Sequence, residues 1–479
     1  MKNQYTNSPL YPYQEEVWRN SRDREFFALW WEMGAGKSIA SVATASWLYD
    51  QGEIDALVVI APSSVTQNWT RIEVPKHMPE WTQTLSVCWD SRKASTKRAQ
   101  KAFDELVGHP GLSVLAIGYD AVITDRGGRA LKRILEKRRC LMILDEATRI
   151  KSPGSRRTKR ILAASKLAPY RRILTGTPAP ESALDVYAPI RFLSPDIWAD
   201  QGIRNYQDFS YRFAVFHRIS QANGRGFDKL VRYRNLDLLA DIVKSVGSRV
   251  LKRDVLSHLP PQIFTRRMFS MDREQSRVYR ELESEFIAMV GDDEEAMVSS
   301  PEAAVVGMKL RQIMSGFVKD DLGTVRTVGT GSRLALLKEL LAEFDGPTII
   351  WAEFSHEIDL LKDTLGDEAV VFDGRTSSED RETAIRRFQE DGSAKYFVAK
   401  PSAAGEGLTL HRAEFMIFFS RGWSLGSRLQ AEARAHRAGM PDRPVTYVDL
   451  IAQGTLDETM LDRLQQKQEL ADTITGDNE

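Results

Sequence analysis

The stretch "FFALWWEMGAGKSIASVATASWLYD", residues 26–50, runs from an apolar segment through a glycine-rich turn into a helical pattern. Residues 26–31 are apolar without alternation, which predicts a strand buried on both faces. Residues 38–50 predict the helix that follows. A buried strand followed by a helix is the repeating unit of a parallel α/β sheet, so this stretch sets the expected fold class.

The same alternation recurs through most of the chain. Near-continuous apolar strands separated by helices predict parallel sheets covered on both faces. Residues 195–330 interrupt it, because they are richer in charge and predict helices and loops. The other predicted strands are 56–62, 85–89, 112–119, 140–146 and 171–178 in the first half, and 348–353, 369–374, 395–400, 415–420 and 445–451 in the second. The sequence therefore predicts two α/β sheet domains with helical insertions.

The composition is typical of a soluble globular protein. Of the 479 residues, 42% are hydrophobic and 28% are charged, and the length suffices for two or three domains. The 66 basic and 66 acidic residues give a formal net charge of zero. A nucleic-acid partner would therefore require a local basic surface.

Cysteine content and apolar runs indicate the compartment. Cys88 and Cys140 are the only cysteines, too few for a disulfide framework or a zinc site, which suits a reducing environment. Residues 1–14 lack the apolar core of a signal peptide, and no apolar run approaches the ~20 residues that span a bilayer. We expect a monomer without membrane contact in a bacterial or viral-host cytoplasm.

A phosphate-binding loop is predicted in "WEMGAGKS", between the first strand and the first helix. Gly34 and Gly36 would let backbone N–H groups curl around an anion, and the helix N-terminus adds partial positive charge. Lys37 would reach the β- and γ-phosphates, and Ser38 would hold Mg²⁺. The full pattern starts with glycine where this chain has tryptophan, so an ordinary strand-to-helix turn is the alternative.

Two adjacent carboxylates follow a later apolar strand, in "LMILDEAT" (141–148). They are expected at the carboxyl edge of the sheet, where such sheets bind ligands. Asp145 could bind Mg²⁺ through water, and Glu146 could orient and deprotonate an attacking water. Alone, the pair is more often a solvated loop, but after a phosphate loop the functional interpretation is favoured.

The segment "QAEARAHRAG" (430–439) predicts a helix with Gln430, Arg434 and Arg437 on one face. The first domain offers no evident arginine finger, and the second offers these arginines but no phosphate loop. We interpret Arg434 and Arg437 as contacts to the γ-phosphate. The alternative is that they bind surface carboxylates or DNA phosphates.

With these residues in place, the chain resembles the Snf2 family of superfamily 2 DNA-dependent ATPases over nearly its whole length. Departures such as Thr148 and "WSLGSR" (423–428) are more similar to its fork-remodelling, annealing-helicase branch. The motifs, in family order, are "LYPYQEEVW" (10–18), "EMGAGKS" (32–38), "VVIAPSSVTQNW" (58–69), "AIGYDAV" (116–122), "DEATRIKSP" (145–153), "LTGTP" (174–178), "RVLKRDVLSHLPP" (249–261), "IIWAEFSHEIDLL" (349–361), "SAAGEGLTL" (402–410) and "QAEARAHRAG".

The resemblance implies two tandem RecA-like domains that use ATP and Mg²⁺. The expected domains are residues 1–250, with a helical protrusion near 195–250, and residues 251–479, with a helical insertion near 265–330. The implied nucleotide-binding residues are Gln14 at the adenine, Gly34, Ala35, Gly36, Lys37, Ser38 and Gly407. Gln430 joins Arg434 and Arg437 at the nucleotide on the same ground.

The family grips duplex DNA mainly through phosphates. A basic stretch at 155–160 could be a solvated helix face or part of that grip. Trp423 could pack in the core or contact the minor groove, and we hold these two interpretations as equal. The implied DNA-binding residues are Ser63, Ser64, Tyr119, Arg149, Lys151, Thr175, Ser355 and Trp423.

The expected activity is that of an ATP-dependent double-stranded DNA translocase, with remodelling of forks or branched DNA, reannealing or protein displacement as its outcome. One alternative is a strand-separating superfamily 2 helicase on DNA or RNA. An alternative of another class is a nucleotide-gated DNA-binding module with little turnover.

Overall fold

The protein is described by a computed structural model covering residues 3–220, 226–256, 259–290, 301–320, 322–403, 408–437 and 439–477. The chain divides into two compact units. Unit 1 consists of residues 1–257 and 467–479, and unit 2 consists of residues 258–466.

Unit 1 is built on nine strands. They are β1 Phe26–Trp31, β2 Ala56–Ala61, β3 Leu85–Trp89, β4 Ser113–Gly118, β5 Cys140–Asp145, β6 Tyr170–Leu174, β7 Ala214–Ser220, β8 Gly226–Tyr233 and β9 Gly247–Val250. Seven of them form one sheet in the order β3-β4-β2-β5-β6-β1-β9, and all of its paired strands are parallel. β7 and β8 form a separate antiparallel hairpin.

Helices cover the sheet of unit 1. They are α1 Pro12–Ser21, α2 Lys37–Asp50, α3 Thr66–Asn68, α4 Val74–His77, α5 Lys97–Val107, α6 Tyr119–Ile123, α7 Asp125–Lys137, α8 Arg156–Ser165, α9 Tyr187–Leu193, α10 Asp196–Ala199, α11 Tyr206–Phe213, α12 Leu236–Ser245 and α13 Lys252–Val255. Strand β2 shows why its sequence lacks alternation: Val58 and Ile60 join one apolar cluster, and Leu57 and Val59 join another. Both faces of the sheet are therefore buried.

Unit 2 contains a second parallel sheet. Its strands are β10 Gln262–Phe269, β11 Phe317–Lys319, β12 Val325–Thr327, β13 Thr348–Trp351, β14 Ala369–Phe372, β15 Tyr396–Ala399, β16 Phe415–Phe418 and β17 Val445–Ala452. The sheet has the order β10-β17-β16-β13-β15-β14, and its pairs are all parallel. β11 and β12 form a short antiparallel pair.

The remaining helices belong wholly or largely to unit 2. They are α14 Arg273–Val290, α15 Pro301–Met314, α16 Ser332–Glu343, α17 Ser355–Leu365, α18 Ser378–Ile385, α19 Leu425–Glu432 and α20 Leu456–Thr475. The last turns of α20, from residue 467 onward, belong to unit 1.

The predicted fold class, α/β with two tandem RecA-like domains of parallel strands, is confirmed. Every strand predicted from an apolar run is present, with ends that differ by a few residues. The prediction that residues 195–330 contain only helices and loops is wrong, because six strands of the described structure begin within them. β9 and β10 were missed since both are edge strands, and β10 exposes most of its side chains. Exposed edges carry polar residues that interrupt an apolar run.

The described residues include no helix that combines the length and the apolar character needed to cross a bilayer.

A buried network of charges ties the elements of unit 2 together. Arg333 on α16 donates to Asp457 on α20 at 2.5 Å, and both side chains are almost fully buried. Arg421 lies between Asp457, at 3.7 Å, and Asp449, at 3.2 Å. Arg428 on α19 donates two further hydrogen bonds to Asp449, at 2.6 and 3.0 Å. The network joins α16, α19, α20 and strand β17, so its charges depend on one another.

We expect Asp457→Ala to destabilise unit 2 by about 3–5 kcal/mol, because it leaves the buried Arg333 guanidinium without its carboxylate and removes one of the two carboxylates beside Arg421. Urea denaturation of the full chain measures this change. Asp345→Ala is the matched control, since Asp345 pairs with Lys395 at 2.8 Å but is fully exposed. The control should leave the midpoint unchanged. Equal midpoints for the two variants would contradict a structural role for the network.

Candidate functional site

The predicted phosphate loop lies between β1 and α2. Gly34 and Gly36 have φ angles of 87° and 85°, a left-handed conformation that favours glycine. Gly36 is the N-cap of α2, and Lys37 is the first residue of that helix. The helix therefore presents its N-terminal N–H groups at the carboxyl edge of the sheet, which is the arrangement that binds anions.

The Lys37 ammonium is held beneath the loop. Its Nζ donates to the carbonyl oxygen of Trp31 at 2.8 Å and to that of Glu32 at 3.2 Å. Burial lowers the pKa of Lys37, and the nearby carboxylates of Glu146 and Asp145 oppose that shift. The sheet thus brings the three predicted charged residues into one electrostatic neighbourhood.

Asp145 ends β5 and is fixed by two aromatic residues. Its Oδ2 accepts a hydrogen bond from Trp69 Nε1 at 2.8 Å, and its backbone carbonyl accepts one from the Tyr119 hydroxyl at 2.9 Å. Burial raises the pKa of the Asp145 carboxyl, while Trp69 and Lys37 act in the opposite direction. A cation beside this carboxyl group would offset the cost of burying its ionised form.

Glu146 has the left-handed φ angle of 54°, which is uncommon outside glycine. It is 8% exposed and begins the turn Ala147–Ile150 after β5. The bend ends β5 directly after Asp145, so Glu146 lies at the carboxyl edge of the sheet. A strained backbone at a sheet edge is typical of functional sites.

Gln14 supports the loop from α1. Its Nε2 donates to the carbonyl oxygen of Ala35 at 3.0 Å, and the Tyr13 hydroxyl donates to the same oxygen at 2.8 Å. Its Oε1 accepts from the backbone N–H of Tyr11 at 2.9 Å. The amide predicted to contact adenine therefore also holds the phosphate loop. Ser38 lies half-buried in the first turn of α2.

In unit 2 the predicted helix over 430–439 is wrong in its second half. Helix α19 ends at Glu432, and a turn follows, so Gln430 does not share a helical face with Arg434 and Arg437. Ala433 at the helix end has φ −71° and ψ 0°, which begins a tighter turn in place of the next α-helical residue.

Both arginines nevertheless converge on one segment. Arg434 and Arg437 each donate to the carbonyl oxygen of Leu408, at 3.3 and 3.1 Å, and Arg437 also donates to Thr409 Oγ1 at 2.7 Å. Arg434 is 6% exposed, and Gln430 on α19 is half-buried. The turn thus joins the two predicted motifs around residues 408–410 and 434–437. Gly407 lies outside the described residues.

The residues predicted to contact DNA fall into three groups. Exposed side chains are those of Ser63, Ser64, Arg149 and Ser355. Lys151 is half-buried and lies 3.7 Å from the Asp185 carboxylate. Tyr119 and Thr175 are each 2% exposed, so contact through their side chains would require a local rearrangement.

Trp423 is half-buried and packs against an apolar cluster that includes Phe269, Tyr279 and Leu310. This packing agrees with the core interpretation of Trp423. Its contact with a minor groove stays a prediction.

Three supporting residues escaped the sequence analysis. Trp69 is the last residue of the quoted motif 58–69, and Tyr13 directly precedes the predicted Gln14. Arg249 donates to the carbonyl oxygens of Trp30 and Gly176. An aromatic N–H or O–H beside a motif was the available signal for the first two. Arg249 begins the motif 249–261, but nothing local predicts its partners, since the Asp477 carboxylate and the two backbone carbonyls lie far away in sequence.

Family models match most of the chain. The model of the SNF2-related domain matches residues 23–317, and that of the helicase conserved C-terminal domain matches residues 332–439. The first match covers the phosphate loop and the paired carboxylates, and the second covers the arginine turn.

Several known proteins are similar in sequence to this chain over nearly its whole length. A DNA annealing helicase and endonuclease of Bos taurus is 27% identical over 94% of this chain. A probable chromatin-remodeling complex ATPase chain of Oryza sativa is 25% identical over 91%, and an uncharacterized ATP-dependent helicase of Mycoplasma genitalium is 26% identical over 98%. The chain spans only 39%, 38% and 42% of these relatives.

Among solved structures, the Sulfolobus solfataricus SWI2/SNF2 ATPase core in complex with dsDNA aligns over 99% of this chain and 95% of that chain, with 22% identity and a TM-score of 0.43. The SNF2-related match, from residue 23 to residue 317, covers more than half of the 479 residues. The chain therefore belongs to the SNF2-related family and is an ATPase/helicase enzyme.

Proposed function

We propose that the protein is an ATP-dependent double-stranded DNA translocase of the Snf2 type. The observation that carries the proposal is the buried Lys37 ammonium beside Asp145 and Glu146, at the carboxyl edge of the first parallel sheet. Remodelling of forks or branched DNA, reannealing and protein displacement are outcomes that such movement would produce. Similarity to a DNA annealing helicase and endonuclease supports this range of outcomes.

In this proposal unit 1 binds ATP. The phosphates lie against the N–H groups around Gly34 and Gly36, and Lys37 exchanges its carbonyl partners for phosphate oxygens. An ammonium attracts a phosphate anion more strongly than a neutral carbonyl dipole, so the exchange favours the bound state. Gln14 would contact the adenine, and it also stabilises the loop through its hydrogen bond to the Ala35 carbonyl.

Mg²⁺ fits the oxygen ligands available here. In the part of the chain that the structure describes, no group of three or more His, Cys, Asp or Glu side chains could hold a metal alone. Magnesium typically binds through one or two carboxylates together with substrate phosphates. The Ser38 hydroxyl and the Asp145 carboxylate would hold it, and it would neutralise charge on the phosphates.

Glu146 is proposed to position the attacking water and accept its proton. In this division of roles the Asp145 carboxylate would hold the cation and the Glu146 carboxylate would hold the water. Gln430, Arg434 and Arg437 are proposed to act on the nucleotide as well, with the arginines stabilising charge on the transferring phosphoryl group.

The grip on DNA is proposed to use hydroxyls, backbone and local basic residues. The exposed Ser63, Ser64, Arg149 and Ser355 are the better candidates for direct phosphate contact. The net charge of zero means that such contacts must be local. Lys151, Tyr119, Thr175 and Trp423 remain in the proposal as weaker candidates because their side chains are partly or wholly covered. We also propose that the protein is a monomer and acts in the cytoplasm.

We expect Gly36→Ala to lower ATP affinity by more than tenfold. A Cβ on residue 36 would lie 2.1 Å from Gln14 Nε2, so the loop or its support must move. Gly52→Ala is the matched control, because Gly52 also has a positive φ, of 71°, but a Cβ there meets open space. Both variants carry the left-handed strain of about 1–2 kcal/mol. Equal losses of ATP affinity in titrations of the two variants would contradict the assignment of residues 31–38 as the phosphate-binding loop.

We expect Arg434→Ala and Arg437→Ala to reduce kcat by about 10³-fold or more while ATP binding persists, because a finger acts on the transition state. Lysine should not rescue, since one ammonium cannot reproduce the planar fork. ATPase rates at saturating ATP and saturating duplex measure this.

Arg412→Ala is the control for these variants. Arg412 also donates to backbone carbonyls, those of Phe388 and Ala394, at 2.9 and 3.0 Å, and it is not a predicted nucleotide contact. Glu432 is unsuitable, because it pairs with Arg428 at 2.5 Å. A return to near wild-type rates at saturating DNA would show that Arg434 and Arg437 hold DNA and not the γ-phosphate.

The proposed function itself is tested by ATPase stimulation with matched duplex, forked and single-stranded DNA and with RNA. We expect duplex DNA to stimulate most. The stimulation should fall steeply between about 50 and 200 mM salt, because phosphate binding releases counterions. Equal stimulation by single strands or RNA would favour the strand-separating helicase. Tight duplex binding without turnover would favour a nucleotide-gated binding module.

A further inference from the structure

Arg249, in the edge strand β9, links two loops of the nucleotide site. Its Nη1 donates to the carbonyl oxygen of Trp30 at 2.6 Å and to that of Gly176 at 2.7 Å. Trp30 lies in β1 just before the phosphate loop, and Gly176 lies in the turn after β6. A Cβ on Gly176 would approach the Trp31 carbonyl oxygen to 3.4 Å, so the two loops already touch.

The residues that follow Arg249 hold the same loop entry. The carbonyl oxygen of Val250 accepts from the Glu32 N–H at 3.0 Å, and Glu32 Oε2 accepts from the Lys252 N–H at 2.5 Å. Glu32 in turn supplies one of the carbonyl oxygens that hold the Lys37 ammonium. Displacement of this short segment would therefore be transmitted to Lys37.

Asp477 fixes the other side of the Arg249 guanidinium. Its Oδ2 lies 2.7 Å from Nη2, and its two oxygens lie 3.0 and 3.1 Å from Nε. The Asp477 side chain is 7% exposed. Two parallel N–H···O contacts define the orientation of the guanidinium as well as its charge partner.

The end of helix α20 aims Asp477 at this position. Gly476 has φ 76°, and the Asp477 N–H donates to the carbonyl oxygen of Asp472 at 2.9 Å. This is the bond pattern of a glycine-ended helix, in which the chain reverses direction immediately after the last turn. A Cβ on Gly476 would meet Lys244 Cε at 2.3 Å, so the approach is close.

The charge of Arg249 also reaches the lysine of the loop. Burial is the main cause of the lowered pKa of Lys37, and the positive charge of Arg249 contributes to it. Removing the Asp477 charge would leave a guanidinium beside an ammonium with less compensation.

We propose that Arg249 and Asp477 form a positioning pair for the phosphate loop, so that the segment 467–477, when docked on unit 1, sets the geometry in which Lys37 meets ATP. Neither side chain reacts with the substrate. The pair acts through the backbone of Trp30 and Gly176 and through local charge. Weakening it should impair ATP use even if the rest of the fold is intact.

A second contact of the same segment separates positioning from simple docking. Lys467 Nζ lies 2.5 Å from Glu181 Oε2 within unit 1. Leu470 and Ile474 of the segment also pack on the core of unit 1. Lys467→Gln therefore weakens the attachment of the segment and leaves the Arg249 contacts in place.

The test compares steady-state ATPase kinetics and melting temperature for Asp477→Asn, Asp477→Glu, Arg249→Lys and Lys467→Gln in the full chain. We expect Asp477→Asn and Arg249→Lys to lower kcat/KM for ATP about tenfold to a hundredfold, mainly through KM, because a displaced phosphate loop loses contacts that ATP makes in the ground state and the transition state alike. Asp477→Glu should stay within about threefold of wild type, because it keeps the carboxylate.

Lys467→Gln should lower the melting temperature by less than Asp477→Asn, because its ion pair is the more exposed one, and it should change kcat/KM by less than about twofold. The proposal is overturned if Asp477→Asn keeps wild-type kcat/KM. It is equally overturned if Lys467→Gln loses as much kcat/KM as Asp477→Asn, because the segment would then act only by docking.

Discussion

The burial of one ammonium group beside two carboxylates is the constraint on which unit 1 depends. Charges taken out of water cost several kcal/mol each unless geometry compensates them. Lys37 lies in the turn and helix that follow β1, whereas Asp145 ends β5 and Glu146 follows it. These two strands are not neighbours, because β6 lies between them. Only a rigid parallel sheet, buried on both faces, brings these strand ends to one edge with a fixed spacing. The unbroken apolar runs of the sequence are therefore a requirement of the site as much as of the core.

A second layer of side chains holds the phosphate loop and Asp145 in position. Trp69 and Tyr119 hold Asp145, and Tyr13 and Gln14 hold the Ala35 carbonyl. Each is an amphipathic side chain that packs its body and uses one polar atom. Donors and dipoles fixed in advance need no reorganisation when charge develops, which is the source of most electrostatic catalysis. This layer explains why aromatic residues accompany the motifs without themselves carrying charge.

The sequence predicted what local patterns control. Strand positions followed from apolar runs, and the phosphate loop from two glycines and a lysine between a strand and a helix. It failed where a distant partner decides the structure. β10 is a strand because β17 lies beside it along its whole length, from the pair Gln262–Val445 to the pair Phe269–Ala452. The helix over 430–439 stops early because the turn lets Arg434 and Arg437 reach Leu408. Arg249 and Asp477 are 228 residues apart, and no periodicity links them.

Cations of this chain are oriented in two different ways, and the partner atoms distinguish them. A carboxylate orients a guanidinium and compensates its charge, whereas a carbonyl orients it through a dipole. Arg421 and Arg428 lie among the buried carboxylates of Asp449 and Asp457, and these contacts hold helices to the sheet. The Lys37 ammonium is oriented by the carbonyls of Trp31 and Glu32, and Arg434 and Arg437 are oriented by that of Leu408. An incoming phosphate would replace these dipole contacts with contacts to an anion, which attracts a cation more strongly than a neutral dipole does.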